Sequence, residues 1–257
     1  MSVCGKFFGV GVGPGEKGLL PLLAVQALKS CPVILCPKAK SALFSVAKNC
    51  VAGLGIKEEC FEIVEYGMED ERITARENYF SMAKRISAAL NSGLNVAYLT
   101  IGDSLTYSTY SYTVMALKEL LPELEVTTFP GVTSYTALAA KFNWPLGQGK
   151  ERLLILPCPE SAEELRQEIE SHDIVVLMKI GRRLPMVLNT IEEMQIADNC
   201  VFGSRLGLPG EISETLSSLT AIEAEQSGYL ATMLIRKHPP DQAWLIEPSA
   251  SYTKEYV

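Results

Sequence analysis

The chain has 257 residues, 47% of them apolar and 21% charged, which suits a folded globular protein with room for one or two domains. A formal net charge of −7 disfavours any general affinity for nucleic acid or anionic membrane, because phosphates are repelled at long range. No apolar stretch reaches the roughly 20 residues of a membrane span and no basic-then-apolar leader opens the chain, so a soluble cytoplasmic protein is expected.

The elements follow in chain order. "KFFGVGV" (6–12) reads as a buried strand, and an apolar-periodic helix begins near Glu16 or Leu19. "PVILC" (32–36) is a short strand apolar on both faces, as central parallel strands are. "SALFSVAKNCVAGL" (41–54) looks helical, and "CFEIVEY" (60–66) alternates apolar and acidic residues like a strand nearer an edge. Glu69 to Ser92 has helical period, with Tyr79, Met82, Ile86, Ala89 and Leu90 on one face. Strand "LNVAYLTIG" (94–102), helix "LTYSTYSYTVMALKELL" (105–121), strand "LEVTTFPG" (124–131) and helix "VTSYTALAAKF" (132–142) complete five β-then-α units. That alternation predicts a parallel α/β sheet.

At "NWPLGQGKE" (143–151) the pattern breaks at Pro145, Gly147 and Gly149. The break sets expected domains at 1–145 and 146–257. The second contains strands "RLLILP" and "DIVVLMKIG", helices "SAEELRQEIES" and "LPMVLNTIEEMQI", then strands "NCVFGSRLG", "GEISETLSSL" and "YLATMLIRK". The last two are expected to be antiparallel, giving a mixed sheet, and the tail after Pro239 and Pro240 reads as a surface extension. The seven cysteines include no C-x-x-C pair, and the two histidines, His172 and His238, lack ligand spacing. Reduced thiols, structural histidines and no metal site are expected.

Gly13, Gly15 and Gly18 fit G-x-G-x-x-G, the spacing of a dinucleotide-binding turn. Two requirements of that site are missing. Pro14 removes one amide from the loop, and no acidic residue closes the strand "PVILC" to hold a ribose hydroxyl. Two further strand ends carry unusual residues: Gly102, Asp103, Ser104 and Thr106 after the strand at 95–100, and Gly131, Thr133 and Ser134 after the strand at 125–129. In a parallel sheet these loops share one edge with the N-terminal turn, and glycine lets their backbone approach a ligand closely. Ser104 and Thr133 also suit helix N-caps, and Asp103 suits a turn.

"GVGPG" (11–15), "GDSLTYSTYSY" (102–112) and "PGVTSY" (130–135) resemble the signatures of the tetrapyrrole methylases, S-adenosylmethionine-dependent enzymes of corrin and siroheme synthesis. Tyr107-Ser108-Thr109 followed by "SY" is most similar to the branch that methylates C-20 of precorrin-2 or cobalt-factor II. The resemblance covers most of residues 5–240. It implies two α/β domains with S-adenosylmethionine in the cleft between them (S-adenosylhomocysteine as product), in a homodimer that binds a tetrapyrrole, no nucleic acid and no membrane.

Carried over residue by residue, the resemblance puts Gly13 and Pro14 at the floor of the substrate cleft. Gly102, Asp103 and Tyr107 border the cofactor, the first two near its methionine end, and Thr133 and Ser134 lie against it. Met178 and Leu206 flank the adenine, and Thr232 touches it. The family usually has proline where this chain has Ser104, and its first loop usually continues differently from "GPGEKGLLP", which makes Gly18 an accidental match.

The implied chemistry is in-line methyl transfer to an electron-rich carbon, after which C-20 loses a proton. Asp103 is the candidate base, or a residue that holds the cofactor or loop. The substrate's eight carboxylates call for cations, and Lys179, Arg182, Arg183 and Arg205 cluster at strand ends. Tyr107 and Tyr110, three apart, suit either an aromatic wall under the macrocycle or ordinary packing. C-11, C-17 or uroporphyrinogen specificity would share the cofactor site. A sister branch acting on diphthine or ribosomal RNA, a nicotinamide oxidoreductase and a non-catalytic nucleotide-binding module are the other readings.

Overall fold

Five apolar segments of the first half pair as a wholly parallel sheet in the computed structural model, which describes residues 4–40, 42–66, 72–216 and 228–239. They are β1 (Phe7–Gly11), β2 (Val33–Ala39), β3 (Phe61–Tyr66), β4 (Val96–Thr100) and β5 (Val126–Phe129), in the order β3-β2-β4-β1-β5. All five residues of β1 and of β4 are buried, because helices cover both faces of the sheet. α1 (Leu22–Lys29) and α2 (Val46–Cys50) pack with Val10, Ala97 and Leu99, and α3 (Arg72–Asn91) and α4 (Tyr110–Leu120) pack with Phe7, Val96 and Tyr98. The acidic alternation of β3 matches its edge position, and Arg85 of α3 reaches Glu62 across it (2.5 Å).

Two helices begin later than their sequences suggest. α1 starts at Leu22, after Pro21, and α4 starts at Tyr110. The residues ahead of each form loops at the carboxyl edge of the sheet. The expected start of the third helix, at Glu69, lies outside the described residues.

The second compact unit begins at Ser134. Its sheet has the order β6-β7-β10-β8-β9, from β6 (Leu153–Pro157), β7 (Ile174–Met178), β8 (Cys200–Ser204), β9 (Ile212–Thr215) and β10 (Ala231–Arg236). β6 and β7 are parallel and the remaining pairs antiparallel, so the sheet is mixed. β9 and β10 do not pair with each other, contrary to the sequence expectation: β8 lies between them and is antiparallel to both. α6 (Ala162–Ser171), whose first turn is capped by Ser161, and α7 (Leu184–Glu193) cover one face through Leu165, Ile169, Val187 and Ile191. α5 (Ser134–Lys141) covers the other through Leu138 against Val176, Val201 and Leu234.

The division thus falls ahead of the turn-rich stretch at 143–151, and a buried arginine shows why. Arg236 of β10 is 2% exposed, donates to Glu151 (2.5 Å) and to the Pro145 carbonyl (2.8 Å), and lies over the Trp144 ring at 4.8 Å. The stretch is therefore bound to the second sheet, like α5 before it. The end of "GEISETLSSL" and the tail from Pro240 lie outside the described residues. Among the described residues, no helix is long and apolar enough to cross a membrane.

Burial pushes the Cys31 and Cys50 thiols up to about 11 and those of Cys36 and Cys200 up to about 12. In the unfolded chain they ionise near their ordinary value of about 8.5. A pKa raised by folding gives stability that is complete below the unfolded value and is lost as pH rises toward the folded one. Unfolding free energy from urea titrations should be level from pH 7 to 8 and fall steadily from pH 9 to 10.5. The slope approaches about 1.4 kcal/mol per pH unit for each such thiol. Stability that rises over that range would contradict the burial of these side chains.

Candidate functional site

β4, β1 and β5 are adjacent and parallel, so the loops after them leave from one edge of the first sheet. The Val12 amide donates to the Thr100 carbonyl (2.9 Å), and Gly13 and Gly102 exchange amide-to-carbonyl bonds of 3.2 and 2.8 Å. The third loop comes closer still. A Cβ added to Gly131 would lie 2.1 Å from the Gly102 carbonyl oxygen, and one on Gly11 would lie 2.6 Å from the Gly131 nitrogen. Gly102 has a left-handed backbone (φ 71°), which turns the chain out of β4 at once. Backbone packs directly on backbone here, and only glycine permits it.

Asp103 fastens the arrangement. Its Oδ1 accepts from the Leu105 amide (2.9 Å) and the Thr106 hydroxyl (3.0 Å), and its Oδ2 accepts from the Gly131 amide (3.0 Å). The carboxylate shapes its own loop and ties it to the next one. Gly13 and Pro14 are both buried in the adjoining turn. The dinucleotide reading fails on geometry, because this turn does not run into a helix: residues 16 to 21 intervene before α1. Gly18 has nothing within 4 Å of its missing side chain, as an accidental match would.

The late start of α4 redistributes the tyrosines. Tyr107 sits in the loop with a left-handed backbone (φ 51°) and is 42% exposed. Tyr110 is the correction to the sequence reading: it is 1% exposed, packs on Phe7 and bonds Thr128 through its hydroxyl (2.7 Å). Gly9 makes the room, since a Cβ there would lie 2.1 Å from the Tyr110 ring. Tyr110 belongs to the core and cannot serve as a wall beneath a substrate. Ser104 is likewise no helix cap, being too far from the start of α4. It is completely buried, and among the described residues neither its hydroxyl nor that of Thr100, the last residue of β4, has a hydrogen-bond partner. Buried hydroxyls without partners are costly, so these two are unfavourable features of this edge.

The second unit assembles another group. Thr232 lies opposite Met178 on one side and Gly203 on the other, and its hydroxyl meets that of Ser134 at 2.7 Å. Leu206 and Met178 join the same apolar cluster around Leu138. Ser134, Met178, Leu206 and Thr232 therefore share the α5 side of this sheet. Thr133, buried, ends the first unit.

The sequence reading named Lys179 and Arg205 but missed the left-handed backbone that bulky residues adopt here. Asn143 and Gln195 adopt it just beyond helix ends, where it is routine. Lys179, Arg205 and Leu230 (φ 53°, 54° and 53°) do so where β7 and β8 end and β10 begins. The Arg205 amide donates to the Leu230 carbonyl (3.2 Å) and the Gly181 amide to the Gly228 carbonyl (2.9 Å), joining these loops. Strain of this kind gathers at functional sites. Only the glycines at 181 and 228 hinted at it in the sequence. Of the other cations, Arg182 is exposed and Arg183 is bound to Glu160, and His172 is held by the Glu168 carbonyl (2.9 Å).

Comparison with known proteins decides what this edge belongs to: residues 6–220 match the tetrapyrrole (corrin/porphyrin) methylases. The chain belongs to that family. It is an S-adenosylmethionine-dependent tetrapyrrole methyltransferase. A Methanocaldococcus jannaschii protein named "Probable cobalt-precorrin-2 C(20)-methyltransferase" is 35% identical over 191 residues, 72% of this chain and 77% of that protein. A Sinorhizobium precorrin-2 C(20)-methyltransferase is 30% identical across 78% of this chain and 84% of its own length. Among solved structures, a cobalamin-synthesis-related protein from Corynebacterium diphtheriae superposes with a TM-score of 0.69 at 19% identity. It covers 91% of this chain and 99% of its own. A cobalt precorrin-4 methyltransferase does so with a TM-score of 0.65 at 17% identity, over 91% of this chain and 96% of its own. These two likenesses speak for the fold.

Asp103→Asn should lower the unfolding free energy by about 1–3 kcal/mol, since an amide cannot accept from all three donors. Gly131→Ala should be at least as damaging, because its methyl group meets backbone. Urea denaturation of both variants checks this, and wild-type stability in either would contradict the loop geometry.

Proposed function

We propose that the protein transfers a methyl group from S-adenosylmethionine to C-20 of a precorrin-2-type tetrapyrrole, either metal-free or carrying cobalt. The observation that carries this reading is the 35% identity, over 72% of this chain, to a relative named for C(20) methylation of cobalt-precorrin-2. When bound, S-adenosylmethionine supplies an electrophilic methyl group on a sulfonium, and the electron-rich macrocycle supplies the carbon nucleophile.

The residues present fit such a cofactor. Beside Gly102 a side chain would meet only the Val132 carbonyl, at 3.9 Å, so the backbone there is open to a ligand. This edge, with Gly102, Asp103 and Tyr107, suits the polar methionine end. Met178, partly buried beside Leu206, is assigned with it to the adenine, as are Ser134 and Thr232, whose hydroxyls meet at 2.7 Å. Thr133 precedes this group in the chain. Gly13 and Pro14 are assigned to the tetrapyrrole side.

The protein's own work is orientation and exclusion of water rather than making a nucleophile. The glycine floor lets the backbone come close to the ligands without side chains intervening. Both oxygens of Asp103 are engaged by three donors, so we assign it to holding the loop and not to removing the C-20 proton. Lys179 and Arg205 are assigned to the substrate's carboxylates, which a protein of net charge −7 must attract locally.

Incubation with methyl-labelled S-adenosylmethionine and either precorrin-2 or its cobalt complex tests this directly. The product should gain a single labelled methyl group, placed at C-20 by NMR. Isothermal titration should show micromolar affinity for S-adenosylhomocysteine and none for NADH. A methyl group at another carbon would replace the specificity, and binding of NADH alone would overturn the reading.

A further inference from the structure

Lys179 and Arg205 extend from the ends of β7 and β8, which flank β10 at one edge of the second sheet. Strands two apart place these backbones about 10 Å from each other. Each residue holds an unfavourable left-handed backbone, and each is served by a charged residue that is itself anchored. Arg183 donates through Nη2 to the Lys179 carbonyl (2.9 Å), while its Nη1 is bound to Glu160. On the other side, Glu211 accepts the Gly207 amide on Oε2 (2.9 Å), while Oε1 is paired with Lys141 of α5. The Leu208 amide donates to the Arg205 carbonyl (2.9 Å) and the Glu211 amide to the Leu208 carbonyl (3.1 Å), closing the loop that presents Arg205. Among the described residues, neither Lys179 nor Arg205 has a carboxylate partner, and the buried Nε of Arg205 has no partner at all. Two immobilised backbones thus carry two uncommitted cations.

We propose that Arg183 and Glu211 are positioning residues, which hold Lys179 and Arg205 as a two-point anchor for two carboxylate arms of the substrate. The proposal rests on the methyltransferase reading above and deepens it: the ligand is recognised as a polycarboxylate at a fixed spacing, and not by net charge. Arg182 has no such support and takes no part.

Uroporphyrin III, an octacarboxylate, is the probe, with tryptophan fluorescence as readout. Lys179→Ala and Arg205→Ala should each weaken uroporphyrin III binding roughly ten- to hundredfold. Arg183→Met and Glu211→Gln should each weaken it about tenfold, with S-adenosylhomocysteine affinity unchanged. The deciding test is coupling: Arg183→Met should add nothing in the Lys179→Ala background, nor Glu211→Gln in the Arg205→Ala background. If Glu211→Gln does not fold, Lys141→Met removes the anchor of Glu211 and should give the same pattern. Losses that add fully, or that reach S-adenosylhomocysteine equally, overturn the proposal. A wild type that methylates no tetrapyrrole overturns both readings, whereas one that methylates precorrin-2 without the coupling removes the anchor alone.

Discussion

The first sheet is organised around backbone contact among Gly11, Gly102 and Gly131 at the carboxyl ends of three neighbouring strands. Ordinary parallel strands end in loops that diverge, because side chains hold them apart. The absence of side chains at Gly11 and Gly131 lets these two loops close on the Gly102 backbone, and the Asp103 carboxylate then fastens two of the loops with three charge-assisted bonds. The contact needs bare backbone and a carboxylate with no slack. The loop it holds before α4 contains Tyr107 with a left-handed backbone, a conformation that persists only where the surroundings fix it.

The second sheet reaches a similar end by another route. Its edge is built from bulky residues in strained backbone, enforced by hydrogen bonds between loops and by the charged groups Arg183 and Glu211. Burial alone would push the Glu211 carboxyl up, yet Lys141, the Gly207 amide and Ser213 outweigh it and hold the group below the usual carboxylate range. It therefore remains ionised at neutral pH and keeps its loop closed. Glycine provides close approach in the first unit, and ionic clasps provide immobility in the second.

Most strands were legible because they are short apolar runs between turn residues, and the edge position of β3 showed in its acidic alternation. The helix starts were not. "LTYSTYSY" has no glycine or proline to mark a boundary, so it reads as continuous helix, whereas Asp103 takes Leu105 and Thr106 into its own turn. That local capture moved Tyr107 into the loop and left Tyr110 at the first turn of α4. The space at Gly9 that admits the Tyr110 ring is a contact across about a hundred residues, which no local pattern announces. The attachment of residues 143–151 to the second sheet was hidden for the same reason: Pro145 and the glycines look like a linker until Arg236 binds them.

Charge presents the sharpest constraint on function, because an acidic protein must hold an acidic substrate. Part of its positive charge is already spent on carboxylates: Lys48 on Glu58, Arg85 on Glu62, Arg166 on Glu193, Arg183 on Glu160, Arg236 on Glu151 and Lys141 on Glu211. Such pairing removes stray cations that would bind a polyanion in the wrong place, and screening by salt confines what remains to about 8–10 Å. Attraction then becomes a property of location and not of the whole surface. On this argument the net negative charge is compatible with polycarboxylate binding, since attraction depends on where unpaired cations lie and not on the net charge.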